Sequence, residues 1–408
     1  MKKAPRIRFR GFQEDWEQRK LGGIGKTYTG LTGKSKEDFG HGDAKFVTYM
    51  NVFQNPKATL EQLENVEIDH RQNEVKKGDV FFTTSSETPE EVGMSSVWTH
   101  DINNIYLNSF TFAYRPTIKF DLDYLAFMLR SQSVRKKIIF LAQGISRYNI
   151  SKTKMMDISV PIPVNFEEQQ KIGAFFKQLD DTIALHQRKL DQLKELKTAY
   201  LQVMFVSMKT KNNKVPKLRF ADFGGEWDQR KSKELFIPKS EKNQPNLPVL
   251  SVTQDSGVVY RDQVGIDIKY DSTTLKNYKV VNKNDFVISL RSFQGGFELS
   301  DKKGITSPAY TIFVPKDIKL HDNLFWKTQF KTFQFIEALK TVTFGIRDGK
   351  SISFTEFGDL KLCFPKNKKE QQKIGKFFEE LDYAISLHQN KLTQLKSLKK
   401  SYLQNMFI

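Results

Sequence analysis

Residues 167–205 read EEQQKIGAFFKQLDDTIALHQRKLDQLKELKTAYLQVMF, and residues 369–407 repeat them without a gap as KEQQKIGKFFEELDYAISLHQNKLTQLKSLKKSYLQNMF, with 26 of 39 positions identical. A shorter pair, PRIRFRGFQEDWEQRK at residues 5–20 and PKLRFADFGGEWDQRK at residues 216–231, is identical at 8 of 16 positions. The chain therefore consists of a segment, a repeat, a second segment and a second repeat. This order indicates an internal duplication.

Apolar residues in each long repeat recur at alternating spacings of four and three, which is the period of a coiled-coil seam. Neither copy contains proline, so each is predicted to form a helix about 50 Å long. We expect the two stripes to pack against each other as an antiparallel pair, with the two histidines as polar, register-setting residues. The predicted seam consists of Ile172, Phe176, Leu179, Ile183, His186, Leu190, Leu193, Ile374, Phe378, Leu381, Ile385, His388, Leu392 and Leu395.

The segments between the repeats resemble each other in outline. Each has a strand-like run after a polar turn (77–82 and 284–289), a second β-rich run (110–114 and 310–314) and an apolar helical stretch (near 122–141 and 322–340). We predict two α/β (α+β) domains joined by a long antiparallel coiled coil, with pseudo-two-fold symmetry. The predicted boundaries are 1–163 for the first domain, 164–206 for the first helix, 207–215 for a linker, 216–366 for the second domain and 367–408 for the second helix.

The 408 residues include 65 Lys and Arg against 47 Asp and Glu, a net charge of +18. Such an excess favours a polyanionic partner but does not choose between DNA, RNA and anionic lipid. Residues 167–205 carry six basic and six acidic residues, and residues 369–407 carry seven and four, so +15 of the charge lies outside the repeats. We interpret the helices as protein-contacting elements and the domains as polyanion-contacting elements.

The sequence contains no credible active site. Gly22–Thr27 ends like a phosphate-binding loop, but Lys20 stands where that motif requires its first glycine. The six histidines form no metal-binding motif, and a single Cys363 excludes a cysteine-rich zinc site. No run approaches the ~18 apolar residues of a membrane span. We expect a cytoplasmic protein with no membrane span and no metal site of its own.

Polar, basic and aromatic loops follow the predicted strands in both segments. Arginine suits guanine, Asn or Gln suits adenine, and Ser or Lys suits phosphate, so these loops are candidates for reading DNA. The candidate DNA-binding residues are Thr84, Ser85, Ser86, Arg147, Tyr148, Asn149, Lys152 and Lys154 in the first segment, and Arg291, Ser292, Phe293, Gln294, Arg347 and Lys350 in the second.

The arrangement resembles the specificity subunit of type I restriction–modification enzymes. The resemblance rests on WEQRKLG at residues 16–22, QGISRYNIS at 143–151, VPIP at 160–163 and EQQKI at 168–172, with WDQRK and EQQKI recurring at 227–231 and 370–374. The second half departs from the pattern at GIRDGK (345–350). The resemblance spans the whole chain.

In that family two target recognition domains each read one half of a bipartite, asymmetric DNA sequence. The resemblance implies a non-catalytic subunit that binds double-stranded DNA and two modification subunits, with restriction and translocase subunits in the full complex. S-adenosylmethionine, ATP and Mg²⁺ are then expected on those partners. Two rival interpretations are a self-contained DNA methyltransferase or nuclease, and a coiled-coil scaffold for RNA or protein.

Overall fold

The computed structural model describes residues 4–207, 214–253, 257–264, 272–289, 296–342 and 352–408. The chain divides into two units: unit 1 runs up to Gln187 and includes Asn390–Ile408, and unit 2 is Arg188–Gln389. Each long helix therefore contributes one part to each unit, whereas the boundaries predicted from the sequence set the helices apart from the domains. Residues 208–213 of the predicted linker lie outside the described residues.

Unit 1 contains a central antiparallel sheet of order β2-β9-β5-β7, a second sheet of order β4-β3-β8, and the pairs β1-β11 and β6-β10. Its strands are β1 (Glu17–Lys20), β2 (Gly25–Thr29), β3 (Phe39–Val47), β4 (Leu63–Val66), β5 (Val80–Thr83), β6 (Ser85–Ser86), β7 (Ser95–Val97), β8 (Ile105–Leu107), β9 (Thr111–Pro116), β10 (Tyr148–Asn149) and β11 (Ser159–Ile162). Its helices are α1 (Tyr49–Gln54), α2 (Leu122–Leu129), α3 (Gln132–Phe140), α4 (Lys152–Met156) and the first part of α5 (Phe166–Val203). It also contains the last part of α10 (Lys368–Asn405), from Asn390 onward.

Strand β5 is apolar at consecutive positions because both of its faces are buried. Val80 and Phe82 belong to the core that α2 and α3 cover, and Phe81 belongs to a separate core with Val47 and Trp98. Successive side chains of a strand point to opposite faces, so a strand covered on both sides has no polar face.

The apolar stretch predicted near 122–141 is two helices rather than one. Asp121 caps α2 by accepting a hydrogen bond from the Tyr124 backbone N–H at 2.8 Å. The helix ends at Leu129, and Ser131 is the N-cap position of α3. The two helices are separated because the backbone of Ser131 is extended, with φ −65° and ψ 155°, although its side chain makes no capping hydrogen bond.

Unit 2 repeats this architecture, since its central sheet has the order β13-β20-β17-β18, with β12-β21 as a separate antiparallel pair. Its strands are β12 (Asp228–Lys231), β13 (Phe236–Lys239), β14 (Leu250–Thr253), β15 (Gly257–Tyr260), β16 (Lys279–Val281), β17 (Phe286–Ile288), β18 (Phe297–Leu299), β19 (Gly304–Thr306), β20 (Thr311–Pro315) and β21 (Lys361–Phe364). Its helices are α6 (Ser232–Leu235), α7 (Asn323–Gln329), α8 (Phe333–Val342), α9 (Phe354–Gly358) and the first part of α10 (Lys368–Asn405). It also contains the last part of α5, from Arg188 onward.

The two long helices pack antiparallel within each unit. In unit 1, the ring of Phe175 on α5 contacts Tyr402 on α10, and Asp180 pairs with Lys399, so the numbering falls on α10 as it rises on α5. In unit 2, Tyr200 likewise contacts Phe377, and Lys197 pairs with Asp382. The prediction of mixed α/β domains with a long coiled coil is confirmed.

The predicted seam residues occupy the inner side of these helices. All fourteen are buried or half-buried, and Ile172, Phe176, Ile374 and Phe378 are at most 2% exposed. The N-terminal seam residues of each helix belong to the main core of a unit, Ile172 and Phe176 to unit 1 and Ile374 and Phe378 to unit 2. Each helix therefore begins as part of a domain core.

A buried cluster, which we call the helix-start clamp, fixes the first turn of α5. Glu168 is 0% exposed, and its two carboxylate oxygens accept hydrogen bonds from Arg8 Nε at 2.6 Å and Arg8 Nη2 at 2.9 Å. Trp16 Nε1 donates to the same carboxylate at 3.1 Å. The two-pronged contact raises the pKa of Arg8, and the clamp ties the N-terminal segment to the helix.

Unit 2 contains the same clamp at α10. Arg219 donates to Glu370 through Nε at 2.7 Å and Nη2 at 2.8 Å, and Trp227 Nε1 donates at 3.2 Å. These contacts explain why the short repeat at 5–20 and 216–231 accompanies the long one: the arginine and tryptophan of the short repeat bind the glutamate of EQQKI.

Candidate nucleic-acid interface

Two of the loops singled out in the sequence meet in unit 1. Strand β10 pairs antiparallel with β6, so Tyr148 lies opposite Ser86 and Asn149 lies opposite Ser85. The Ile150 backbone N–H donates to the Thr84 carbonyl at 2.9 Å and extends this pairing. Loop residues about sixty positions apart are therefore joined by main-chain hydrogen bonds.

The loop at 144–148 is closed tightly by its own backbone. Gln143 and Asn149 exchange two N–H to carbonyl hydrogen bonds, at 2.9 and 2.8 Å. Gly144 has a φ of +143°, and a Cβ there would lie 2.0 Å from the Arg147 carbonyl oxygen. Glycine is required at this position because no side chain fits so close to the returning chain.

Arg147 is exposed at the tip of this loop, and within the part of the chain that the structure describes its guanidinium is held by one hydrogen bond. Its Nη2 donates to the Ser85 hydroxyl at 3.2 Å. The Ser85 carbonyl in turn accepts from the Tyr49 hydroxyl at 2.8 Å. A guanidinium has five N–H donors in a planar fork, so this contact orients the group and leaves donors for a ligand.

These residues line an open cleft with a volume of about 590 Å³. Its walls combine an arginine and three serine hydroxyls with two carboxylates, three aromatic rings and a methionine. The lining residues are Tyr49, Met50, Phe53, Ser85, Ser86, Glu87, Glu91, Phe110, Ser146 and Arg147.

Arg130, which is half-buried, fixes the wall of the cleft that α1 provides. Arg130 Nη2 donates to the carbonyls of Val52, Phe53 and Asn55 at 2.9–3.0 Å, at the C-terminal end of α1. Burial lowers the pKa of Arg130 to about 10, but the guanidinium remains charged at neutral pH.

Arg135 fixes the segment that carries Glu91, another residue that lines the cleft. It donates to the carbonyls of Gly93, Glu90 and Val92 at 2.7–2.8 Å. Burial lowers the pKa of this arginine to about 10 as well. Sequence reasoning missed both arginines, because nothing in the sequence distinguishes these half-buried, carbonyl-binding side chains from the neighbouring Lys136 and Lys137.

The structure separates the remaining candidates from this cleft. Lys152 and Lys154 are exposed on α4 and do not line it; Lys154 instead lines a different groove, with Phe140 and Lys136. Thr84, Tyr148 and Asn149 support the cleft through the paired backbone. The second-segment candidates, Arg291, Ser292, Phe293, Gln294, Arg347 and Lys350, all lie outside the described residues.

No helix among the described residues is long and apolar enough to cross a membrane. Within the same residues, no group of three or more His, Cys, Asp or Glu is placed to hold a metal ion.

The family model of the type I restriction modification DNA specificity domain matches the chain twice, at residues 13–195 and 225–397. The chain belongs to this family. The two matches coincide with the two halves of the duplication, so each half is one DNA specificity domain. The resemblance inferred from the sequence is confirmed.

Other comparisons agree with this assignment. The chain is 22% identical over 422 aligned positions to the MjaX type I restriction enzyme specificity subunit of Methanocaldococcus jannaschii, covering 95% of this chain and 91% of that one. Its fold is similar to the crystal structure of the S subunit of a type I restriction–modification system from M. genitalium, with a TM-score of 0.61, 15% identity and 99% of each chain covered. A structure describing complex assembly and conformational transition of the type I system gives a TM-score of 0.50 at 14% identity, with 95% and 96% covered.

As a type I DNA specificity subunit, the chain supplies DNA sequence recognition and is not itself an enzyme. The predictions of a DNA-recognition role and of a non-catalytic subunit are confirmed. The rival interpretations, a self-contained methyltransferase or nuclease and an RNA or protein scaffold, are not favoured.

Proposed function

We propose that unit 1 and unit 2 each read one half of a bipartite, asymmetric DNA sequence, and that the paired helices set the number of unread base pairs between the halves. The observation that carries the proposal is the cleft of unit 1. There, Arg147 is oriented by Ser85 on a loop that is joined by backbone pairing to a strand of the domain.

The composition of this cleft supports contact with base edges rather than with phosphates. Glu87 and Glu91 lie in the same cleft as Arg147. A site for phosphate gains nothing from carboxylates, which repel the DNA backbone. Base edges in the major groove present both acceptors, such as guanine O6 and N7, and donors, such as the amino groups of cytosine and adenine. A cleft with both arginine and carboxylates matches that mixture.

The proposed partners are two modification subunits that bind the helices and methylate adenine with S-adenosylmethionine. Restriction subunits that use ATP and Mg²⁺ complete the proposed complex, in the cytoplasm. Family membership supports this assignment, and so does the likeness to a structure concerned with assembly of a type I system. In this proposal the chain holds no cofactor of its own.

Replacing Arg147 tests the reading role. R147A should cost about 1–3 kcal/mol of binding free energy and relax specificity in one half-site only. R147K keeps the charge but loses the planar fork, so it should behave like R147A if the contact is with a base. Binding is measured with duplexes that carry single changes in either half-site, over a series of salt concentrations.

A loss spread over both half-sites, with R147K close to wild type and a smaller salt slope for R147A, identifies a phosphate contact and overturns the reading role. Replacement of the exposed Arg10, which lies outside the cleft, serves as the charge-matched control.

Lengthening the helices tests the spacer role. Four residues inserted into α5 and four into α10 add about 6 Å to each helix. This length corresponds to about one or two base pairs at 3.4 Å each. The preferred spacer, determined by selecting bound duplexes from a random pool, should lengthen accordingly. An unchanged spacer in a folded, DNA-binding variant contradicts the role of the helices as a ruler.

A further inference from the structure

The cleft of unit 1 is also lined by exposed apolar side chains, which cannot form hydrogen bonds with bases. Phe110 is 67% exposed and Met50 is 48% exposed, and both line the cleft that contains Arg147 and Ser85. Large apolar side chains exposed beside a polar binding surface mark a contact with an apolar part of the ligand.

The backbone that carries Phe110 is fixed from both sides. The Thr84 hydroxyl donates to the Phe110 carbonyl at 2.9 Å, and the Phe110 N–H donates to Asn108 Oδ1 at 2.9 Å. Asn108 is itself buried and donates to the Val47 carbonyl at 3.0 Å. The ring therefore projects from a rigid support beside the β6 segment that orients Arg147. A rigid aromatic side chain provides contact area at a small entropic cost.

The edges of the bases offer one kind of apolar group to such a surface. In the major groove, thymine presents its C5-methyl group, whereas the other base edges present hydrogen-bond donors and acceptors. We propose that Phe110, with Met50 on the same cleft, packs against the methyl group of a thymine in the half-site that unit 1 reads. This inference rests on the proposed function, since it assigns a base group to the cleft in which Arg147 reads DNA.

The test combines a change in the protein with removal of one methyl group from the DNA. The chain is assembled with its modification subunits, and its site is defined by selection from random duplexes. Each thymine of both half-sites, on either strand, is then replaced singly by uracil, which lacks the methyl group and keeps the base pairing. For the wild-type chain, uracil at one position in the unit 1 half-site should weaken binding about fourfold, the effect of one buried methyl group.

The same uracil should have no effect on the F110A variant, and F110L, which keeps an apolar side chain, should retain part of the effect. Phe140 provides a matched control: it is 87% exposed in unit 1 but lies on α3 and lines a different groove. F140A should show the full fourfold effect of uracil.

Two results overturn the inference. One is that no uracil in the unit 1 half-site weakens binding by the wild-type chain. The other is that the effect of uracil persists unchanged in F110A. If R147A still relaxes only that half-site, the reading role of unit 1 stands and the thymine contact alone is wrong. If R147A affects both half-sites equally, the proposed function itself fails.

Discussion

Two sets of equivalent positions differ in how far the two units have kept the same contacts. The helix-start clamps are retained in both units, whereas the positions that follow α2 and α7 are not. In the clamps, Arg8, Glu168 and Trp16 of unit 1 match Arg219, Glu370 and Trp227 of unit 2, and each of the three hydrogen-bond distances differs by 0.1 Å. The contacts that join a domain to its long helix are therefore the same in both units.

The position nine residues after the caps Asp121 and Asp322 has diverged. In unit 1 it is Arg130, which binds backbone carbonyls of the α1 segment. In unit 2 it is Lys331, which forms an ion pair with the buried Glu298 on β18. The duplicated halves therefore keep the contacts that hold the helices and differ at the position that follows α2 and α7.

Substitutions in the helix-start clamps should lower the free energy of unfolding the most, and by equal amounts in the two units. R8A leaves the Glu168 carboxylate buried without its cation, and R219A does the same to Glu370. Removing one partner of a buried ion pair costs about 3–5 kcal/mol of unfolding free energy. Hydrogen exchange resolved by unit should show a loss of this size in unit 1 for R8A and in unit 2 for R219A. A loss below about 1 kcal/mol, or one that differs by more than about 2 kcal/mol between the two variants, contradicts equivalent clamps.

At the diverged position, the stability effects of replacing Lys331 in unit 2 and Arg130 in unit 1 should differ in their pH dependence. Burial raises the pKa of the Glu298 carboxyl, and the nearby charge of Lys331, assisted by Lys327, counteracts part of that shift. In K331A the pKa rises further. A carboxyl with a raised pKa in the folded state favours folding below its unfolded pKa, and this contribution is lost as the pH rises through the folded pKa.

We therefore expect K331A to destabilise unit 2 by about 2–3 kcal/mol at pH 7 and by much less near pH 4. R130A should destabilise unit 1 by a similar amount through lost hydrogen bonds to carbonyls. Its cost should be constant between about pH 5 and 8 because those carbonyls do not titrate. Urea unfolding between about pH 4 and 8 measures the effect of K331A, and the part of that range above pH 5 measures the effect of R130A. Adding E298Q to K331A should remove the pH dependence, and its persistence would exclude Glu298 as the source.

The smallest effect on stability is expected for the two ion pairs between α5 and α10. Lys197–Asp382 in unit 2 and Lys399–Asp180 in unit 1 occupy equivalent positions of the two repeats, and all four side chains are partly exposed to solvent. Because exposed pairs contribute about 0–1 kcal/mol, K197A and K399A should each cost less than about 1 kcal/mol, and equally so. Thermal unfolding at low and high salt measures this, and a cost above about 2 kcal/mol in either variant would show that the pairs are not equivalent surface contacts.

The elements that can be predicted from the sequence are those encoded by a local pattern of residues. The 3.5-residue period predicts the long helices, and the strand-like runs at 77–82 and 284–289 predict the central strands β5 and β17. The break between α2 and α3 was missed because apolar content alone does not distinguish one helix from two with an extended serine between them.

Contacts between distant residues could not be predicted in the same way. The pairing of Arg8 with Glu168 joins residues 160 positions apart, and the hydrogen bond from Arg147 to Ser85 joins residues 62 apart. Such pairs depend on how the strands are ordered in space, and a single sequence does not specify that order. The two loops of unit 1 were identified as candidates, but that they meet, and that Phe110 and Met50 share their cleft, became evident only from the fold.

The most direct test of the central claim is a genome-wide map of methylated adenines in a host that carries this chain with its modification subunits, compared with the same host carrying R147A. We predict a bipartite motif for the wild-type chain, and for R147A a motif that is degenerate in one half and unchanged in the other. An R147A motif that is altered equally in both halves, or a wild-type motif that has no two separated halves, would contradict the assignment of one half-site to each unit.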